Sequence, residues 1–163
     1  DAAVGTAQEI SGEAKPLVIS GLTWSVPSSW EKTKPASSMR AAELKVPGAG
    51  GEAVVAFFAN IGGDAQSNIE RWRGQFVDSG GGPPIATTQQ RTIAGCKVWL
   101  TSFSGTYKGG TMGGPEEDMP NAALRGAIID GPQGMIFIKF TGPEATIKEH
   151  EAAWNTMVNG MRK

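Results

Sequence analysis

Hydrophobic and polar positions alternate in short runs along most of this chain, and glycine or proline closes nearly every run. In "LTWSVPSSW" the side chains of Leu22, Trp24 and Val26 fall on one side before Pro27 intervenes, which predicts a strand followed by a turn. "MRAAELKVP" and "EAVVAFFANI" flank the glycine-rich "GAGG" and predict a hairpin. The period then changes. Beyond Gly62 and Gly63, Asp64 is placed to cap a helix from about Ala65 to Val77. Its Ala65, Ile69, Trp72 and Phe76 recur at helical spacing and share one face, with Glu70, Arg71 and Gln75 pointing elsewhere.

"SGGGPP" ends that helix, and the alternating pattern returns in "IATTQQRTI" and "CKVWLTSFSGTY", separated only by Ala94 and Gly95. Two-residue linkage predicts a tight hairpin. A further pair, "AALRGAIID" and "GMIFIKF", turns across Gly131 and Pro132, and the second member is apolar enough to lie in the middle of a sheet. Gly142 and Pro143 then open a terminal helix that runs to about Asn159. The sum is an α+β protein: a central antiparallel sheet of about six or seven strands, built from hairpins and packed by a middle helix and a C-terminal helix.

The 163 residues suit a single domain. Residues 1–16 are polar and small and read as a flexible leash, so the folded domain is assigned to residues 17–163. With no initiator Met, the leash is the kind that follows a removed export signal, and a lipid tether upstream of Asp1 is an expectation of the same kind. A formal charge of -1 offers no excess of positive charge to attract nucleic acid or an anionic bilayer. Cys96 is the single cysteine, so no internal disulfide can form.

The one histidine, His150, sits in "HEAAW", a letter short of the H-E-x-x-H zinc pattern. Trp154 occupies the position of the second ligand, and His150 shares a helical stripe with Ile147, Trp154, Met157, Val158 and Met161. Packing explains it better than metal. Cys96 opens a strand and reads as a small buried apolar group, with no local signature pairing it to His150. The chain lacks a G-x-S-x-G elbow and a phosphate-binding P-loop, and "GAGGEA" precedes a strand rather than the helix a dinucleotide site needs. No catalytic residue, metal or cofactor is assigned.

Contact chemistry is easier to place. Residues 108–121, "KGGTMGGPEEDMPN", hold four glycines, two prolines and three carboxylates, and predict a mobile loop. "EED" lacks the ligand spacing of a calcium loop. Among the five tryptophans, Trp72 and Trp154 belong to helix faces that must be buried, which leaves Trp30 and Trp99 as expected exposed contacts. The partner-contact set is therefore Trp30, Trp99, Lys108, Met112, Glu116, Glu117 and Asp118. Arg71, Arg73 and Lys139 read as ordinary surface residues.

"LTWSVPSSW", "SNIERWRGQF", "SFSGTY" and "FIKFTGPEATI", spread over about residues 17–162, resemble the PsbP-like superfamily of photosystem accessory proteins, Ran-binding import factors and uncharacterised bacterial lipoproteins. The bacterial members are the most similar. The resemblance implies an antiparallel sheet packed by helices and an accessory or binding role instead of catalysis. It carries over no manganese or calcium site, because one histidine in a packing stripe supplies no ligand set. The expected function is a non-catalytic cell-envelope accessory protein, exported to the periplasm or envelope and contacting an envelope protein. The alternative is a ligand-binding or hydrolytic protein using a pocket between sheet and helix, with His150 and Cys96 as its reactive groups.

Overall fold

The computed structural model describes residues 14–111 and 114–163. Most of the leash, residues 1–13, and the contact residue Met112 lie outside the described residues. Lys15 and Pro16, assigned to the leash, begin strand β1 (Lys15–Ile19), which pairs with β2 (Leu22–Val26) as a separate antiparallel hairpin. The remaining strands are β3 (Glu31–Thr33), β4 (Arg40–Val46), β5 (Ala53–Ala59), β6 (Phe76–Val77), β7 (Thr87–Ile93), β8 (Cys96–Tyr107), β9 (Met119–Gly131) and β10 (Gly134–Pro143). They form one antiparallel sheet in the order β3-β4-β5-β10-β9-β8-β6, with β7 also on β8.

The α+β architecture matches the sequence pattern, and the strand count exceeds it because β3 and β6 are too short to alternate visibly. Strand β10 is central, between β5 and β9, as its apolar sequence required. The two-residue turn between β7 and β8 has Ala94 at φ 53° and Gly95 at φ 77°, the paired left-handed geometry that follows strand twist.

Helix α1 (Ala65–Arg73) is capped by Asp64, whose carboxylate accepts from the Ser67 amide. It is shorter than the periodicity indicates. The chain leaves the helix at Gly74, and Phe76 and Val77 pair with Tyr107 and Thr106 on β8. Phe76 stays buried where a helix would have put it, stacked on Tyr107 with ring centroids 4.4 Å apart, so the apolar spacing was right and the backbone was not. The terminal helix likewise divides into α2 (Glu144–Glu149) and α3 (Glu151–Asn159) at His150, and Pro143 remains extended at φ -57°, ψ 135°.

The sheet has two covered faces. Trp24, Trp30, Phe57, Phe140 and Trp154 belong to the larger core, shared by the sheet, β1, β2, α2 and α3. Ile69, Trp72, Phe76, Phe103, Tyr107 and Phe137 form the second core, between the sheet and α1. Gly126 on β9 lets α1 approach: a Cβ there would meet the Trp72 ring at 2.6 Å.

Candidate functional site: a lysine buried between sheet and helix

In β10 the alternation sends Ile136, Ile138 and Phe140 into the larger core and Phe137 and Lys139 toward α1. Lys139 is opposite Ala56 on β5 and Gly126 on β9, two of the smallest residues in the sheet. They leave a trough in which the long side chain lies, only 5% exposed. Its Nζ donates to Gln75 Oε1 at 2.7 Å and to Tyr107 Oη at 3.0 Å. Gln75 follows α1 and Tyr107 ends β8, so three elements converge on one ammonium group.

Burial is the main cause that lowers the Lys139 pKa from 10.5 to about 7, and the positive charges of Arg40 and Arg71 add to it. Tyr107 is pushed up to about 12 by burial, against the opposing pull of Arg40 and a hydrogen bond with Thr141. Arg40 is paired with Glu43 at 2.8 Å, and both side chains are about a tenth exposed. The Glu43 oxygen that accepts from Arg40 also accepts from the Ala36 amide at 2.8 Å. Arg71 donates to Asn68 Oδ1 at 2.6 Å. Among the described residues, neither Lys139 nor Arg71 makes an ion pair with a carboxylate.

Two cavities meet at Lys139. One, of about 250 Å³, is bordered by Val54, Tyr107, Pro115, Met119 and Thr141. The other, of about 150 Å³, is walled by Phe58, Ile61, Trp72, Arg40 and Arg71. A cation held in low dielectric beside two guanidinium groups suits a negatively charged ligand group, and in its neutral form the same amine can accept a proton. Lys139 thus corrects the surface reading of the sequence. A charged letter in the middle of "MIFIKF" was the available signal, since a central strand covered on both faces has no solvent side.

The predicted contact residues are dispersed. Trp30, expected to be exposed, is 3% exposed; it packs on Phe140, and its indole Nε1 donates to His150 Nδ1 at 3.2 Å. The pairing of β3 with β4 and the later arrival of α2 bury it, which local sequence does not reveal. Trp99 is half-buried on the opposite face of the sheet, beside α1's core, with Lys97 Nζ 5.8 Å from its ring centroid. The two tryptophans therefore cannot line one surface.

Lys108 and Asp118 do come together, at 2.9 Å, and Asp118 also accepts from the Gly109 amide at 2.9 Å. That amide, followed by Lys108, lowers the Asp118 pKa. Within the loop, Gly110 donates to the Pro115 carbonyl and Gly114 to that of Thr111. Glu116 and Glu117 are exposed. His150 has both ring nitrogens engaged, Nδ1 by Trp30 and Nε2 by the Pro47 carbonyl at 2.7 Å. Acceptance at Nδ1 assigns the proton to Nε2 in the neutral ring. Cys96 is buried in the larger core. Among the described residues no three His, Cys, Asp or Glu side chains gather as metal ligands.

No family model matches the chain. No curated protein matches it either. Its structure is similar to the solution structure of cyanobacterial PsbP (CyanoP) from Synechocystis sp. PCC 6803, with a TM-score of 0.56 and 12% identity over 99% of this chain and 96% of that one. A second similar structure, a protein of unknown function from Pseudomonas aeruginosa, has a TM-score of 0.42 and 17% identity, covering 91% of this chain and 95% of that one. The first comparison establishes a PsbP-like fold. No helix among the described residues is long and apolar enough to cross a membrane.

Proposed function

We propose that this PsbP-like domain is a non-catalytic binding or assembly module of the bacterial cell envelope, exported and perched on a protein partner through residues 108–118. The observation that carries this reading is the loop itself. It leaves the sheet between β8 and β9, is tied at its base by Lys108 and Asp118, and holds Glu116 and Glu117 in solvent. A pinned base lowers the ordering cost of binding while Glu116 and Glu117 remain available. A non-catalytic role for His150 and Cys96 is supported by the engagement of both imidazole nitrogens and the burial of the thiol. A tether upstream of Asp1 belongs to the same proposal, by likeness to the lipoprotein members of the superfamily.

Cross-linking in the native cell, followed by affinity capture and mass spectrometry, tests this. The intact protein is compared with a variant in which residues 110–117 are replaced by a short Gly-Ser turn, preserving Lys108, Asp118 and both strands. A reproducible envelope partner lost with the loop is the expected result. Capture that is unchanged by the replacement, or recovery of the protein in the cytosolic fraction, refutes the assignment.

A second reading, a small ligand held between sheet and helix, is favoured by the cavities at Lys139.

A further inference from the structure

We infer that the cavity beneath α1 binds a small organic monoanion, with a carboxylate group held by Lys139 and Arg71 and an apolar body lying against Trp72, Phe58 and Ile61. The charge arrangement comes first. Three cations line this cavity, Arg40, Arg71 and Lys139. Glu43 neutralises Arg40, whereas Arg71 and Lys139 have neutral partners, Asn68 for one and Gln75 with Tyr107 for the other. Two positive charges therefore border the space without a carboxylate of their own among the described residues. A buried ammonium is costly unless an anion meets it, so an entering carboxylate recovers energy that the folded chain alone does not.

Shape and wall chemistry restrict the class further. Apart from its charged members the cavity is bounded mainly by Met39, Phe58, Ile61 and Trp72, which cannot satisfy the several oxygens of inorganic phosphate. Its volume of about 150 Å³ is below that of common drug-sized pockets and admits one ring or a short alkyl chain. Met39, 54% exposed, stands at the rim beside Ser37, so the space opens to solvent next to a flexible apolar side chain.

The site also binds its ligand together with a proton. The charged and titratable groups around Lys139 are Arg40 and Glu43 from β4, Arg71 from α1 and Tyr107 from β8, with Glu52 on the rim of the neighbouring cavity. Tyr107, at about 12, keeps its proton near neutrality, and Lys139, at about 7, is the group moved into that range. Only the ammonium form attracts a carboxylate, so binding weakens as pH rises past 7. Between pH 6 and pH 8 the protonated fraction falls from roughly nine-tenths to one-tenth, a loss of about tenfold in affinity.

Calorimetric titration of the full chain with benzoate, benzamide and inorganic phosphate tests the inference. Benzoate is expected to bind at pH 6, about tenfold more weakly at pH 8 and with proton uptake at pH 7, while benzamide and phosphate do not bind. Lys139→Met abolishes binding, and Arg71→Gln, an exposed change on α1, weakens it without altering the fold. The inference is overturned if benzoate fails to bind at millimolar concentration, if benzamide binds equally, if phosphate binds in its place, or if Lys139→Met retains wild-type affinity. It does not depend on a protein partner, so a negative cross-linking result leaves it standing and a negative titration leaves the loop proposal standing.

Discussion

Lys139→Met isolates the energetic consequence of burying an amine. In the unfolded chain the lysine keeps its proton to about pH 10.5, whereas in the folded chain it releases it near pH 7. Below pH 7 the folded state carries the full cost of the buried charge, about 5 kcal/mol for a shift of this size. Between the two values the unfolded state binds more protons, so stability rises with pH, and above 10.5 the cost is gone. From pH 6 to pH 9 the wild type should gain about 2.5 kcal/mol from this group alone.

Methionine fills a similar volume and cannot titrate, although it removes the hydrogen bonds that Lys139 donates to Gln75 and Tyr107. That loss, about 1–3 kcal/mol, is the same throughout this window, because Tyr107 keeps its hydrogen bond with Thr141 and ionises only near 12. It shifts the variant's curve without tilting it. Urea unfolding of both proteins at half-unit intervals from pH 6 to 9, followed by subtraction, therefore cancels every other titrating group. A difference that grows by about 2.5 kcal/mol supports the buried-charge account, and curves parallel to within about 0.5 kcal/mol refute it.

Gly126→Ala places a methyl group 2.6 Å from the Trp72 ring and 3.0 Å from Thr101, so it should cost about 1–3 kcal/mol and lift α1 from the sheet. Urea unfolding gives the loss, and near-ultraviolet circular dichroism reports the displaced indole; an unchanged midpoint would contradict the close approach. His150→Ala leaves the Trp30 Nε1 and the Pro47 carbonyl unpartnered and is expected to cost about 1–3 kcal/mol while leaving partner capture intact. Loss of capture without loss of stability would reinstate a chemical role for the imidazole. Hydrogen bonds from Ser67 lower the Asp64 pKa, so the cap is fully formed above pH 3.8 and is lost as pH falls through the depressed value. Ser67 amide exchange should accelerate in Asp64→Ala at neutral pH, and equal exchange rates would show that the carboxylate does not cap α1.

The strand pairs next to short turns were legible because their information is local. Ala94 and Gly95 between two alternating runs allow one economical closure, and Asp64 after two glycines marks a helix start whatever lies beyond it. The stripe carrying Ile147, Trp154, Met157, Val158 and Met161 was equally local, and all five side chains are buried. Where local signals compete with distant ones they misled. Phe76 keeps helical spacing from Trp72, yet the open edge of β8 takes it into a strand. Trp30 follows a proline turn among polar residues, yet Phe140 and His150, more than a hundred residues later, cover it.

The candidate site divides along the same line. Sequence alone determined that β10 is apolar, that it lies inside the sheet and that its side chains alternate, because strand periodicity and burial are written in consecutive residues. Only tertiary structure decided that both faces are covered, that Ala56 and Gly126 are the neighbours of Lys139, and that Arg40, Arg71, Gln75 and Tyr107 surround its amine. Those four groups come from three separate parts of the chain. Their effect on one proton arises from distance and exclusion of water, and neither quantity exists until the sheet and α1 have closed over it.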